Sequence, residues 1–252
     1  MMNYCALASG SNGNSYYIST ANTAVLIDVG INSKHMHLRM HKLGLAPEAV
    51  RAIFITHEHT DHIRGLSVFA KKYNIPVYIT QGSYAGSRLH LPPHLVHIIA
   101  VDQVVQVDDL TVTAFPKVHD AKEPCSFMVT DGITNLGILT DVGHGCEQVK
   151  SAIAQSDVLL LESNYDEQLL QTGRYSYYLK NRISGGFGHI SNAAALELFV
   201  THRTPRLKHL ILGHLSGENN SVDLVRETFE LHCTDIRLSI ATREQETELF
   251  TV

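Results

Sequence analysis

The 252-residue chain is 44% hydrophobic and 18% charged, the proportions of an ordinary packed globule with room for one large domain or two small ones. Its net charge of −5 displays no gross basic field of the kind that advertises nucleic acid, although a local basic groove fits within an acidic total. The N-terminal MMNYCALASGSNG has neither a basic region nor a long apolar core, and no run is long enough for a bilayer, so neither a signal peptide nor a membrane span is expected.

In chain order, Tyr4–Ala8 reads as a strand, followed by the glycine-rich ASGSNGNS of Ala8–Ser15. That segment is either a tight hairpin or a nest whose N–H groups and hydroxyls face a phosphate, with Ser11, Asn12 and Asn14 as candidate contacts. Ala24–Ile27 is a strand and Ser33–Leu43 a helix, on which His35 and His37 diverge and read as solvated. The strand Ala52–Ile55 runs into IFITHEHTDHIRGL, where three histidines and two carboxylates crowd one bend before a helix over Gly65–Tyr73. His57 and His59, two apart on extended chain, point the same way. Glu58 between them reads as a spacer, and Gly65 as a close-approach position. Val77–Ile79 is a strand; His90, His94 and His97 fall in a Pro-containing loop and receive no role. Val104–Val107 and Val112–Phe115 pair across Asp108-Asp109, and Phe127–Val129 and Leu136–Leu139 across Asp131-Gly132, as hairpins. A helix over Glu147–Ala154, a strand over Val158–Leu161, helices over Asn192–His202 and Val222–His232, and strands over Leu210–Leu212 and Leu238–Ile240 complete the pattern. Between them, GRYSYYLKNRI reads first as an amphipathic helix with its aromatic face inward, and second as tyrosines and cations for stacking on nucleic acid. Strands outnumber helices and often pair by hairpins. That predicts an α/β (α+β) chain of two mixed sheets with helices outside, not one doubly wound sheet.

Five ligand-type residues stand just after predicted strands: His57, His119, Asp141, Glu162 and His214. If those strands share a direction, the five converge on one edge, where layered α/β folds gather their function. Imidazole and carboxylate in the pattern H-x-H-x-D-H are the donors of Zn, Fe and Mn-type ions. The four scattered cysteines, Cys5, Cys125, Cys146 and Cys233, form no C-x-x-C pair. They read as reduced thiols of a cytoplasmic protein and leave any metal to nitrogen and oxygen. His144 and Cys146 follow Asp141 closely without matching a ligand position. Ser216, Asn219 and Asn220 either contact substrate or cap the following helix, capping being the stronger reading for at least one.

The motif H-E-H-T-D-H with His119, Asp141 and His214 resembles the metallo-β-lactamase superfamily, in its usual order and across most of the chain. The resemblance implies a single domain over 1–252, a four-layer αββα sandwich, and a two-metal site at one edge. One metal would take His57, His59 and His119, the other Asp61, His62 and His214, with Asp141 bridging and a hydroxide between the metals as nucleophile. Zn or Mn leads, with Fe, Co or Ni also compatible. "LLLESNYDE" and "SGGFGHISN" resemble the nuclease branch of tRNase Z and the β-CASP nucleases, where a Glu–His pair protonates the leaving oxygen. Glu162 and His189 take those places here, and Asp61 joins them as catalytic. "LASGSNGNSYYI", "TDVG", "GHISN" and "GHLSGENN" are similar to segments of the small YycJ/WalJ group, implying a 5′-to-3′ DNA exonuclease. Ser216 joins Ser11, Asn12 and Asn14 as a substrate contact. Glu162 and His189 are too close in sequence for a β-CASP insertion, which favours DNA over RNA. The competing readings are a small-molecule hydrolase of the same fold (cyclic phosphodiester, thioester or lactone) and a metal-binding module without catalysis. Oligomeric state is left open, and no membrane partner is expected.

Overall fold

Short β-branched runs separated by turn residues become fourteen strands in two seven-stranded sheets. The computed structural model describes residues 1–252. The first sheet holds β1 (Asn3–Ala8), β2 (Ser15–Ser19), β3 (Ala24–Ile27), β4 (Val50–Phe54), β5 (Val77–Thr80) and β6 (Val96–Ile99). The second holds β7 (Val104–Val107), β8 (Leu110–Pro116), β9 (Cys125–Thr130), β10 (Asn135–Leu139), β11 (Val158–Glu162), β12 (His209–Gly213) and β13 (Arg237–Ile240). The chain then returns to the first sheet as β14 (Phe250–Thr251), beside β1. In the first sheet β1, β2 and β3 run antiparallel and β3 to β6 parallel. In the second, β7 to β10 run antiparallel and β10 to β13 parallel. Strands β8, β10, β11 and β12 therefore share one direction, as do β3 and β4.

Nine helices cover the sandwich: α1 (Ser33–Lys42), α2 (Thr60–Ile63), α3 (Leu66–Tyr73), α4 (Gln81–Gly86), α5 (Glu147–Gln155), α6 (Glu167–Thr172), α7 (Tyr177–Ser184), α8 (Asn192–His202) and α9 (Val222–Phe229). Three apolar layers result. The middle one, with Phe54, Phe127, Ile138 and Ile211, lies between the sheets. A second joins the outer face of the first sheet to Met36 and Met40 of α1 and Phe69 of α3. A third joins the outer face of the second sheet to Ile153, Phe199 and Phe229 of α5, α8 and α9. This is the αββα arrangement, and burial of large apolar side chains on both faces of each sheet is its main stabilisation. No helix is long and apolar enough to cross a membrane.

Three sequence expectations are corrected. Helix α7 buries none of its residues, and Tyr177 and Tyr178 stand 81% and 80% exposed. Tyr177 and Tyr178, expected to pack inward, face solvent instead. His37 is half-buried rather than solvated, its ring between Phe69 and Tyr73. The N-cap of α9 is Ser221, whose hydroxyl accepts from Leu224 N. The Ser216 hydroxyl instead accepts from Asn219 N at 3.2 Å, closing a turn.

Candidate metal centre

The site sits where the C-terminal ends of β3, β4, β8, β10, β11 and β12 open together. Asp28, Asp141 and His214 each leave a strand with positive φ, of 62°, 54° and 55°. Left-handed backbone is uncommon for residues with a Cβ and marks places where a fold holds side chains against local preference. Here the sharp turn aims each side chain back across the strand ends.

His57, His59 and His119 form a first cluster, with one nitrogen from each within 4.8 Å of the others. His57 Nε2 lies 3.0 Å from His59 Nδ1, and His119 Nε2 3.3 Å from the same atom. The other His119 nitrogen, Nδ1, donates to Gly188 O at 2.8 Å, which turns Nε2 toward the cluster. Burial, reinforced by Lys117 and neighbouring imidazoles, pushes His57 well below the ordinary histidine range and His119 down to about 3. Both rings are therefore neutral donors.

Asp141 ties this cluster to a second group. Its Oδ2 lies 3.1 Å from His62 Nε2 and 3.2 Å from His214 Nδ1, while its Oδ1 lies 3.8 Å from His119 Nε2. Asp61 Oδ2 lies 3.5 Å from His62 Nε2 and 4.0 Å from His214 Nε2. Burial alone would lower His62, but Asp141, Asp28 and Asp61 override it and hold the imidazole well above its usual range. Burial alone would raise Asp141, but His214 and His62 hold it well below the carboxylate range. A pocket that binds a proton this tightly is built for positive charge.

One residue that the strand-end pattern missed organises this half. Asp28 is fully buried, and its Oδ2 lies 2.7 Å from His62 Nδ1 and accepts from Thr56 Oγ1 at 2.8 Å. Its Oδ1 accepts from Thr56 N at 2.9 Å. The carboxylate receives the Nδ1 proton and leaves Nε2 free to face Asp141 and Asp61. Asp28 stands at the end of "AVLID", so the rule that found the other five would have found it. Lys117 is buried too, donating to Thr140 O at 2.7 Å beside the turn at Asp141. A lysine just before His119 carries no sequence signal.

Glu162 and His189 come together at 2.7 Å, Glu162 Oε1 to His189 Nδ1. The other carboxylate oxygen accepts from Val142 N at 2.7 Å, so Glu162 is pinned on both sides. Burial would depress His189, but the charge and hydrogen bond of Glu162, with Asp141 and Asp61 behind, lift it to about 9. Its ring centroid is 5.4 Å from that of His119 and 5.1 Å from that of His214. The Gly143–His144 segment lines a cleft of about 450 Å³ on its open side, reached also by Lys150 and His202.

The remaining sequence candidates fall differently. Ser11 and Asn12 are exposed at the tip of the β1–β2 loop. Asn14 is fully buried, accepting from Gly10 N at 2.9 Å and donating to Gly10 O at 3.1 Å, with its amide 3.2 Å from His62 Nε2. It braces the loop against the metal-ligand bend, its amide also 3.4 Å from Asp61 Oδ2. Ser216 is 8% exposed and spent on its turn. Glu58 is more than a spacer: its carboxylate accepts from Lys122 N at 2.9 Å, anchoring the loop after His119.

The sequence profile of the β-lactamase superfamily domain matches residues 23–214. Exodeoxyribonuclease YycJ of Bacillus anthracis is 33% identical over 255 residues, covering 94% of this chain and 97% of that one. Exodeoxyribonuclease WalJ of Streptococcus pneumoniae is 33% identical over 233 residues, 89% of this chain and 86% of its own. Among solved structures, Zn²⁺-bound PqqB of Methylobacterium extorquens superposes with a TM-score of 0.75 at 16% identity, over 98% of this chain and 99% of that one. The chain belongs to the metallo-β-lactamase superfamily.

Proposed function

From that membership as premise, we propose that the chain is a two-metal phosphodiesterase that trims DNA ends, a 5′-to-3′ exodeoxyribonuclease. The coarser statement, a metal-dependent hydrolase, rests on the family and on the histidine and carboxylate clusters. The finer one rests on a single observation: the Glu162–His189 pair at 2.7 Å beside the metal centre. Protonating an alkoxide leaving group calls for such a pair, whereas expelling the thiolate of a thioester does not.

The donor set fits divalent cations. Asp141 Oδ2 and both ring nitrogens of His214 are buried with no hydrogen-bond partner, a costly arrangement that a coordinated ion would relieve. We assign His57, His59 and His119 to one ion, Asp61, His62 and His214 to the other, and Asp141 to both; Zn or Mn suits this all-N/O shell. Such ions supply an activated water and charge neutralisation for an in-line displacement at phosphorus. The chain's own residues do the rest. Asp28 fixes the His62 tautomer, and Lys117 holds the Asp141 turn. His189 keeps its proton on the nitrogen away from Glu162 and gives it to the leaving sugar oxygen, while Glu162 stabilises the imidazolium beforehand and orients the ring throughout. We take 1–252 as one catalytic domain, with only α6 and α7 between Glu162 and His189. The four cysteines are free, three of them buried, in keeping with a cytoplasmic setting.

The test is an assay of Mn²⁺-loaded protein on end-labelled single-stranded and duplex DNA, RNA of the same sequence, bis(p-nitrophenyl) phosphate and a thioester. DNA shortened from the 5′ end is expected. Thioester turnover without DNA cleavage would sink the nuclease reading. His189→Ala should slow DNA cleavage roughly 10²-fold or more while sparing the nitrophenyl ester, whose leaving group needs no proton; equal loss on both would remove His189 from the acid's role.

A further inference from the structure

The chain contains ten tyrosines, eight phenylalanines and no tryptophan. Of these, only Tyr177, Tyr178 and Phe187 count as exposed, at 81%, 80% and 63%. All three fall within eleven residues, on α7 and the glycine loop that follows it. The surrounding sequence is biased in charge as well. From Gln168 to Leu196 there is no Asp or Glu, while Arg174, Lys180 and Arg182 lie inside it, in a chain whose net charge is −5.

This element is fastened to the candidate metal centre. Arg182 Nε donates to Asp120 Oδ2 at 2.6 Å, and Asp120 Oδ1 lies 3.3 Å from His119 Nε2. The Arg182 side chain remains 51% exposed. His189 N donates to Ile183 O at 2.8 Å, so the end of α7 leads straight into the proposed acid. Tyr178 is four residues before Arg182, on the same helix face and about 6 Å further along the axis. The aromatic surface therefore begins at the mouth of the centre and extends away from it.

We propose that α7 with Phe187 is a base-stacking platform that receives an unpaired DNA strand and feeds its end to the metal centre. The inference rests on the nuclease reading above and gives that site its strand preference. Exposed aromatic faces stack on any base, interleaved cations hold the phosphates, and the stretch from Gln168 to Leu196 adds no carboxylate of its own to repel them, Asp120 being paired with Arg182. A fully paired duplex end offers only the outer face of its terminal pair, whereas an unpaired strand offers successive bases, so the platform favours single strands and frayed ends. It reads no sequence.

Tyr177→Ala/Tyr178→Ala, both at exposed positions, tests this in the metal-loaded protein. For a single-stranded 20-mer, KM should rise roughly tenfold or more with kcat little changed. Binding of the same oligomer with phosphorothioate linkages, followed by anisotropy, should weaken in parallel. A blunt duplex should be affected less, and bis(p-nitrophenyl) phosphate not at all. Tyr178→Trp in the Tyr177→Ala background should recover most of the loss. Unchanged KM and binding for the single strand, or equal loss on the nitrophenyl ester, would overturn the platform. A wild-type protein that hydrolyses the nitrophenyl ester yet neither binds nor cuts DNA would instead sink the nuclease reading, and the platform with it.

Discussion

Glu162 is the residue on which the chemistry turns, because it decides how long His189 keeps its proton. Burial works against the imidazolium, and Glu162 is the first of the groups that outweigh it, bringing His189 to about 9. Cations bound at Asp141 and Asp61 would cancel those two carboxylates, leaving Glu162 as the support that remains. A general acid works below its own pKa, so the wild-type rate on DNA should fall on the alkaline side as His189 loses its proton. Glu162→Gln removes the charge while an amide oxygen can still accept from Val142 N. The His189 pKa then drops, and the alkaline fall moves to lower pH. At pH 8 the variant should cut DNA roughly 10²-fold more slowly, with bis(p-nitrophenyl) phosphate hydrolysis nearly unchanged. An alkaline limb that stays in place on kcat-against-pH curves for DNA would refute the role given to Glu162.

Among the elements, the strand ends were legible and their bends were not. β4, β8, β10, β11 and β12 could be read because each is an apolar run stopped by a ligand-type residue. Strand β2 was hidden, since SYYIS follows a run of Gly, Asn and Ser, and β6 was hidden in a Pro- and His-rich stretch with two exposed positions. The left-handed turns at Asp28, Asp141 and His214 have no signal of their own, because tertiary packing imposes them. Helix α7 was legible as a helix but not as an exposed one: periodicity gives a face and says nothing about what lies opposite. The crossing of the β3–α1 and β4–α2 connections is equally tertiary. Asn14 N donates to Asp61 O at 2.8 Å and Gly30 N to Asn14 O at 2.7 Å. A Cβ on Gly30 would sit 1.7 Å from Asp61 O and 2.5 Å from Asn14 N, backbone atoms with nowhere to go. Gly30→Ala should therefore push the Asp61–His62 bend outward. It should cost at least about 2 kcal/mol in urea unfolding and lower metal content below that of the wild type by mass spectrometry. Wild-type stability and metal content together would show that the crossing does not hold Asp61 in place.

At the scale of the whole molecule, two sheets that share one apolar layer must also be locked in register, and the histidine that opens β12 does this far from the metal centre. His209 begins the strand that ends near His214, about 16 Å away at strand rise. Its Nδ1 lies 2.9 Å from Tyr4 Oη of the other sheet, and its Nε2 lies 2.9 Å from Ser239 Oγ of the neighbouring strand. Burial, helped by Arg237, brings its pKa down to about 4. The unfolded chain takes up this proton near 6.5 and the folded chain only near 4, so stability is full above 6.5 and is lost as pH falls between the two values. The loss over that window approaches roughly 3 kcal/mol. His209→Gln offers a donor and an acceptor but does not titrate. Urea midpoints taken from pH 7 to pH 4.5 should show the wild type losing roughly 2 kcal/mol more than the variant, the metal-site histidines and carboxylates being common to both. Parallel pH curves would mean that His209 titrates alike in the folded and the unfolded chain, so that its burial does not hold the proton off.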